Sequence, residues 1–108
     1  AGSGTRSLNP AMRGEPMFEL YQNFPNPFNN ETTFRYVLPN DCTVELEVFS
    51  TLGERVETSF SGIQGEGFHN VTWTPRLATG VYYYRLRATP EGRPEKAVSA
   101  TRKMVITR

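Results

Sequence analysis

In Thr43 to Phe49 (TVELEVF), the apolar side chains of Val44, Leu46 and Val48 alternate strictly with Glu45 and Glu47. Successive side chains of an extended chain point to opposite faces, so this stretch has one dry face and one wet face only as a strand. The same period of two recurs along the sequence, and no window of a dozen residues keeps an apolar stripe at helical spacing. The chain is therefore read as all-β.

The other strands follow from the same pattern and its interruptions. Met17 to Tyr21 offers a short first strand. Thr32 to Leu38 (TTFRYVL) places Phe34, Tyr36 and Leu38 on one face before Pro39-Asn40-Asp41 stops it. Thr51-Leu52-Gly53-Glu54 predicts a tight hairpin turn with Gly53 at positive φ, returning the chain along Arg55 to Phe60. Gly62, Gly65 and Gly67 predict a loose connection. In Phe68 to Thr74, Val71 and Trp73 share a face, and Pro75 to Thr79 loops to the next strand. Gly80 to Ala88 (GVYYYRLRA) sets Tyr82, Tyr84, Leu86 and Ala88 opposite Val81, Tyr83, Arg85 and Arg87. After a turn at Pro90-Glu91-Gly92, Lys96 to Thr107 completes the set. About seven one-sided strands predict an immunoglobulin-like antiparallel β-sandwich, two sheets packed face to face. Trp73, Tyr82 and Tyr84 are its expected core anchors.

A chain of 108 residues has room for one such core. Residues 1–16 carry little apolar material and several glycines and prolines, so they are read as a tether, with Ala1 to Gly4 set aside as a cloning remnant. Residues 17–108 form the expected folded domain.

Composition excludes more chemistry than it suggests. Twelve basic side chains against 11 acidic ones, scattered rather than clustered, argue against nucleic acid or anionic lipid as the main partner. No run of about 18 apolar residues is present to span a bilayer as a helix, and the N-terminal stretch lacks the pattern of a signal peptide. Cys42 is the only cysteine and His69 the only histidine, so no thiolate or imidazole cluster for a metal can be assembled. Cys42 reads as a small side chain at a strand start, with an intermolecular disulfide as the alternative. His69 lies on a strand with Val71 and Trp73 and reads as a packing or hydrogen-bonding residue, away from any G-x-S-x-G setting. Glu45 and Glu47 have the spacing of paired acids but belong to a solvated face. Asn30-Glu31-Thr32 and Asn70-Val71-Thr72 match glycosylation tripeptides that also recur by chance. Val81 and Tyr83, opposite the presumed core, are the residues on which a sugar-binding platform would have to be built. No catalytic residue, cofactor, metal or small-molecule substrate is expected.

One segment demands a purpose. Gln22 to Asn30 (QNFPNPFNN) holds two prolines that fix their own φ and push the preceding residues, Phe24 and Asn26, out of the helical region. It is extended or turning, and it is either a preorganised recognition surface or a rigid clasp closing one end of the sandwich. Arg102 to Arg108, the last strand, is expected at a sheet edge, where unpaired backbone groups invite strand addition.

Taken in order, Tyr21 to Asn29 (YQNFPNPFN), Thr32 to Tyr36, Leu52-Gly53 followed by Val56, His69 with Val71 and Trp73, Gly80 to Leu86, and Arg102 to Ile106 resemble the C-terminal sorting domain of the type IX secretion system. The resemblance covers roughly residues 18–108. Asn30 stands where that family usually has proline, and residues 89–101 are longer than its usual hairpin. It implies a domain without catalysis that directs an N-terminal cargo domain out of a Gram-negative cell. Transit runs through the periplasm, and delivery is to the medium or the cell surface. The implied partners are the translocon with its outer-membrane shuttle proteins and a sortase-like peptidase cutting within residues 5–17, with a weak homodimer left open. The implied recognition residues are Asn23, Pro25, Asn26, Pro27, Phe28, Asn29, Gly80, Tyr82, Lys103, Met104, Val105, Ile106 and Arg108. A carbohydrate-binding or adhesion module, and an assembly domain similar to the immunoglobulin-like part of flagellar hook-capping proteins, are the alternatives.

Overall fold

The computed structural model describes residues 17–108; the expected tether lies outside the described residues. Seven strands form two antiparallel sheets: β1 (Glu19–Leu20), β2 (Thr32–Leu38) and β5 (Gly67–Trp73) in one, in the order β1-β2-β5, and β4 (Arg55–Gln64), β3 (Cys42–Phe49), β6 (Gly80–Pro90) and β7 (Val98–Ile106) in the other, in the order β4-β3-β6-β7. A single 3-10 turn at Pro94–Lys96 links β6 to β7. The expected all-β sandwich is what the chain builds.

The alternation sorts the side chains as the sequence predicts. Phe34, Tyr36 and Leu38 from β2, Val44, Leu46 and Val48 from β3, Tyr84, Leu86 and Ala88 from β6, and Met104 and Ile106 from β7 are all fully buried between the sheets. Aromatic rings join the layers: Phe34 lies 4.7 Å from Tyr84 and 5.4 Å from Trp73, and Trp73 lies 6.3 Å from Phe28, centroid to centroid. Tyr82 is only partly buried and packs against this cluster from its rim. The β3–β4 turn carries Gly53 at φ +86, as its position requires. Cys42 is buried, its thiol donating to the Asn40 carbonyl at 3.3 Å, so an intermolecular disulfide would require the fold to open. Burial, reinforced by Asp41 and Glu91, pushes that thiol's pKa up.

Three expectations are corrected. The glycines after Phe60 do not make a loose connection: β4 continues to Gln64, with Gly62 opposite Val44. A side chain at Gly62 would place its Cβ 3.3 Å from the Phe60 ring, so the glycine leaves space for that ring. The reversal is a tight turn at Gly65-Glu66, held by Asp41 Oδ1 accepting the Glu66 N–H at 2.9 Å and entering β5 through Gly67 at φ +119. Glu47 is not on a wet face either, being only 6% exposed. Arg55 from β4 and Arg85 from β6 flank it, each bonded to one carboxylate oxygen at 2.9 Å, and Arg85 stacks on Phe49 at 4.7 Å. Two bidentate-capable cations reaching across from neighbouring strands cover the carboxylate and hold its pKa below the usual value. The third correction concerns the edge of β7.

Candidate functional site

Segment 21–28 does not float beside the sandwich; it is threaded into it. Its peptide bonds Phe24-Pro25 and Asn26-Pro27 are cis, and the backbone they shape reaches both sheets. On one side Phe24 exchanges two backbone hydrogen bonds with Thr33, at 3.1 and 2.9 Å. On the other, Phe28 donates to the Val105 carbonyl at 3.1 Å and accepts from the Thr107 N–H at 2.8 Å, a parallel bridge to the end of β7. Side-chain amides extend the pairing along β7, one as acceptor and one as donor. Asn26 Oδ1 accepts the Val105 N–H at 2.9 Å, and Gln22 Nε2 donates to the Lys103 carbonyl at 2.7 Å.

The turn is fixed from within by Asn23, which is only 2% exposed. Its backbone N–H donates to the Tyr84 hydroxyl at 2.8 Å, and that hydroxyl donates in turn to the Tyr21 carbonyl at 2.8 Å. Its side-chain amide donates to Thr32 Oγ1 at 3.0 Å and to the Pro25 carbonyl at 3.2 Å, while its carbonyl oxygen accepts from Gln22 at 2.8 Å. Thr32 closes the loop by donating to the Pro25 carbonyl at 2.8 Å. The backbone N–H and both ends of the side-chain amide of this buried asparagine are occupied, as burial demands. The Tyr84 hydroxyl, shut away with it, has its pKa pushed up to about 12 by burial.

At the far end, Arg108 Nε and Nη2 donate to the carbonyls of Leu77 and Pro75, each at 2.6 Å, and its N–H to Thr79 Oγ1 at 2.9 Å. The loop between β5 and β6 is thereby pinned to the end of β7. Tyr82 adds a bond from its hydroxyl to the Ala78 carbonyl at 2.9 Å.

The structure thus brings segment 22–28 and residues 103–108 into one assembly, with Gly80 and Tyr82 on β6 opposite Ile106 and Met104. It also divides the expected recognition residues. Pro25, Asn26, Pro27, Asn29, Lys103 and Arg108 are exposed, and Gly80, Tyr82 and Val105 are half-buried. Asn23, Phe28, Met104 and Ile106 are buried and hold the surface up from beneath. β7 is an edge strand, but from the Lys103 carbonyl to the Thr107 N–H its outward groups are bonded to the proline segment, which corrects the expectation of an open edge there. The hydrogen-bonding roles of Tyr84, expected only as a core anchor, and of Thr32 in the Asn23 network were not read from the sequence; a hydroxyl at an otherwise apolar strand position was the available signal.

His69 is engaged within the fold. His69 spends its Nε2 on the Gly65 carbonyl at 2.6 Å and stacks on Tyr36 at 5.6 Å, whose hydroxyl donates to Gln64. Among the described residues no group of three or more His, Cys, Asp or Glu side chains is placed to hold a metal. Among the described residues, no helix is long and apolar enough to cross a membrane.

Comparisons with known proteins agree with the fold and go beyond it. A family model described as the secretion system C-terminal sorting domain matches residues 22–107. The crystal structure of CopC from Methylosinus trichosporium OB3b superposes with a TM-score of 0.51 at 14% identity, over 83% of this chain and 93% of that one, a likeness of fold alone. No curated protein matches the chain. With the match running from the proline segment to the end of β7, the chain belongs to the family of type IX secretion system C-terminal sorting domains.

Proposed function

We propose that residues 17–108 are an address read as a folded object, carrying an N-terminal cargo domain from the periplasm across the outer membrane. The observation that carries this reading is the composite end of the sandwich, where the proline segment and the last strand are locked together within the family match. A surface built from two distant parts of the chain exists only after folding, so a receptor that reads it tests the cargo for a completed domain. Pro25, Asn26, Pro27, Asn29, Lys103 and Arg108 supply its exposed side chains. The prolines keep the ordering cost of contact low, and the buried Asn23 network prevents the loop from relaxing. The partners on this reading are the translocon and its shuttle proteins. A sortase-like peptidase cutting within residues 5–17 then releases the cargo for attachment to surface lipopolysaccharide.

The test is a fusion of residues 1–108 to the C-terminus of a reporter that carries its own inner-membrane signal, expressed in a type IX-competent host. Reporter in the medium or on the cell surface, lost when the translocon is deleted, is the expected result. Reporter retained in the periplasm of the competent host overturns the proposal.

A further inference from the structure

The hydrogen bonds along the outer edge of β7 stop partway. Val105 and Thr107 use their outward groups on Asn26 and Phe28, and the Lys103 carbonyl is taken by Gln22. Outward groups recur at every second residue of an antiparallel edge strand, which assigns the same direction to Thr101 and Ser99. Among the described residues, neither their N–H and C=O groups nor the Lys103 N–H meet any partner on that side. The proline segment therefore covers half of the edge and leaves the other half as a template for a segment of about five residues.

The charged side chains of the two strands that form this half, β6 and β7, are all basic. On β6, directly behind the small Ser99 and Thr101, stand Arg87 and Arg85. Arg85, Arg87, Ala97, Val98 and Ser99 line a depression of about 250 Å³. The ion pairs among the described residues are those of Glu47 with Arg55 and Arg85, so no described carboxylate is paired with Arg87 or Lys103. From residue 92 onward the sequence has Arg93, Lys96, Arg102, Lys103 and Arg108 against Glu95 alone. One strand further in, on β3, Glu45 and Glu47 stand opposite Arg87 and Arg85, and the far edge strand β4 carries Glu57, so the acidic side chains of these strands lie on the β3–β4 side of the sheet.

We infer that the open half of the β7 edge, Ser99 to Lys103, accepts an extended acidic segment of a partner protein as a fifth strand of the sheet. Its backbone takes the free groups of Ser99, Thr101 and Lys103. Its carboxylates, on the face away from the core, reach over Ser99 and Thr101 to Arg87 and lie beside Lys103. Short hydroxyl side chains at 99 and 101 are what let a neighbouring strand's charges meet arginines one strand further in. Who carries the segment rests on the export reading, which makes it a component of the secretion machinery; the strand addition itself does not.

The probe is a fluorescein-labelled, capped peptide of alternating valine and glutamate, titrated onto residues 1–108 and followed by anisotropy, with its valine–lysine counterpart as control. Binding of the acidic peptide is expected, weakened about tenfold or more by Thr101→Pro, which removes an outward N–H without touching a bond to β6, and by Arg87→Glu. A peptide N-methylated at alternate amides cannot pair as a strand and is expected not to bind, a readout independent of how the variants fold. Absence of binding by the acidic peptide, equal binding of the lysine peptide, or undiminished binding of the N-methylated peptide overturns the inference. So does concentration-dependent self-association without peptide, which would give the edge to a second copy. In the export assay, a Thr101→Pro fusion exported like the parent counts against this inference alone, whereas failure of the parent fusion counts against the function proposed above.

Discussion

Phe24 and Phe28 sit four positions apart in the same polar segment and meet opposite fates. Phe28 is 3% exposed, its ring against Trp73, while Phe24 is 70% exposed. The backbone explains the difference: Phe28 is paired in parallel with Ile106 and its side chain enters the core, whereas Phe24 pairs with Thr33 and its side chain leaves it. Phe28→Ala is accordingly expected to destabilise the domain by about 3–5 kcal/mol, the usual cost of emptying a buried aromatic site. Phe24→Ala should shift it by no more than about 0.5 kcal/mol, as exposed positions do. Urea unfolding followed by Trp73 fluorescence measures both. Comparable losses from the two substitutions would mean that the exposed ring is also structural, and the division of the segment into plug and display surface would fall.

At the scale of elements, the proline segment substitutes for a strand. It satisfies the end of β7 with one backbone bridge and two side-chain amides, and Tyr84 ties its other side to β6. Removing that hydroxyl by Tyr84→Phe strands the buried Asn23 N–H, at a cost of about 1–3 kcal/mol. The same hydroxyl makes a pH prediction. Its pKa, and that of Tyr36, is pushed up to about 12 by burial, above the ordinary value of 10.0. Unfolding then releases protons in alkaline solution, so the stability these groups contribute is complete below pH 10.0 and lost as pH rises toward about 12. Urea midpoints measured between pH 9 and pH 12 should fall, and less steeply in Tyr84→Phe. An unchanged slope would show that the hydroxyl ionises without cost in the folded state. The strands themselves were legible because alternation and turn residues are local signals. The clasp was legible only as one of two alternatives, because its partners lie 79 and 81 residues away, and nothing local separates an asparagine that caps a distant strand from one that faces a receptor. Gly62 misled for a related reason: its role is to clear space for Phe60 on the same strand, a packing fact that looks in sequence like a turn.

For the molecule as a whole, fold and address share the same residues, and this governs how export experiments must be read. Deleting Lys103 to Arg108 removes the end of the address surface. It also takes Met104 and Ile106, both 0% exposed, out of the centre of the sandwich, and unpins the loop held by Arg108. Truncating either buried side chain alone costs about 2–5 kcal/mol, and a domain of this size has about 5–15 kcal/mol in total. The deletion is expected to abolish the cooperative unfolding transition, so loss of export on deletion reports loss of the domain as much as loss of contact. Lys103→Ala separates the two. Its side chain is exposed, and the carbonyl that Gln22 engages belongs to the backbone, so stability should stay within about 0.5 kcal/mol of the parent. Export of a Lys103→Ala fusion at the parental level would remove that side chain from the recognition surface. Impaired export from a variant with parental stability would place the recognition chemistry on the surface of β7 rather than in the folding of the domain.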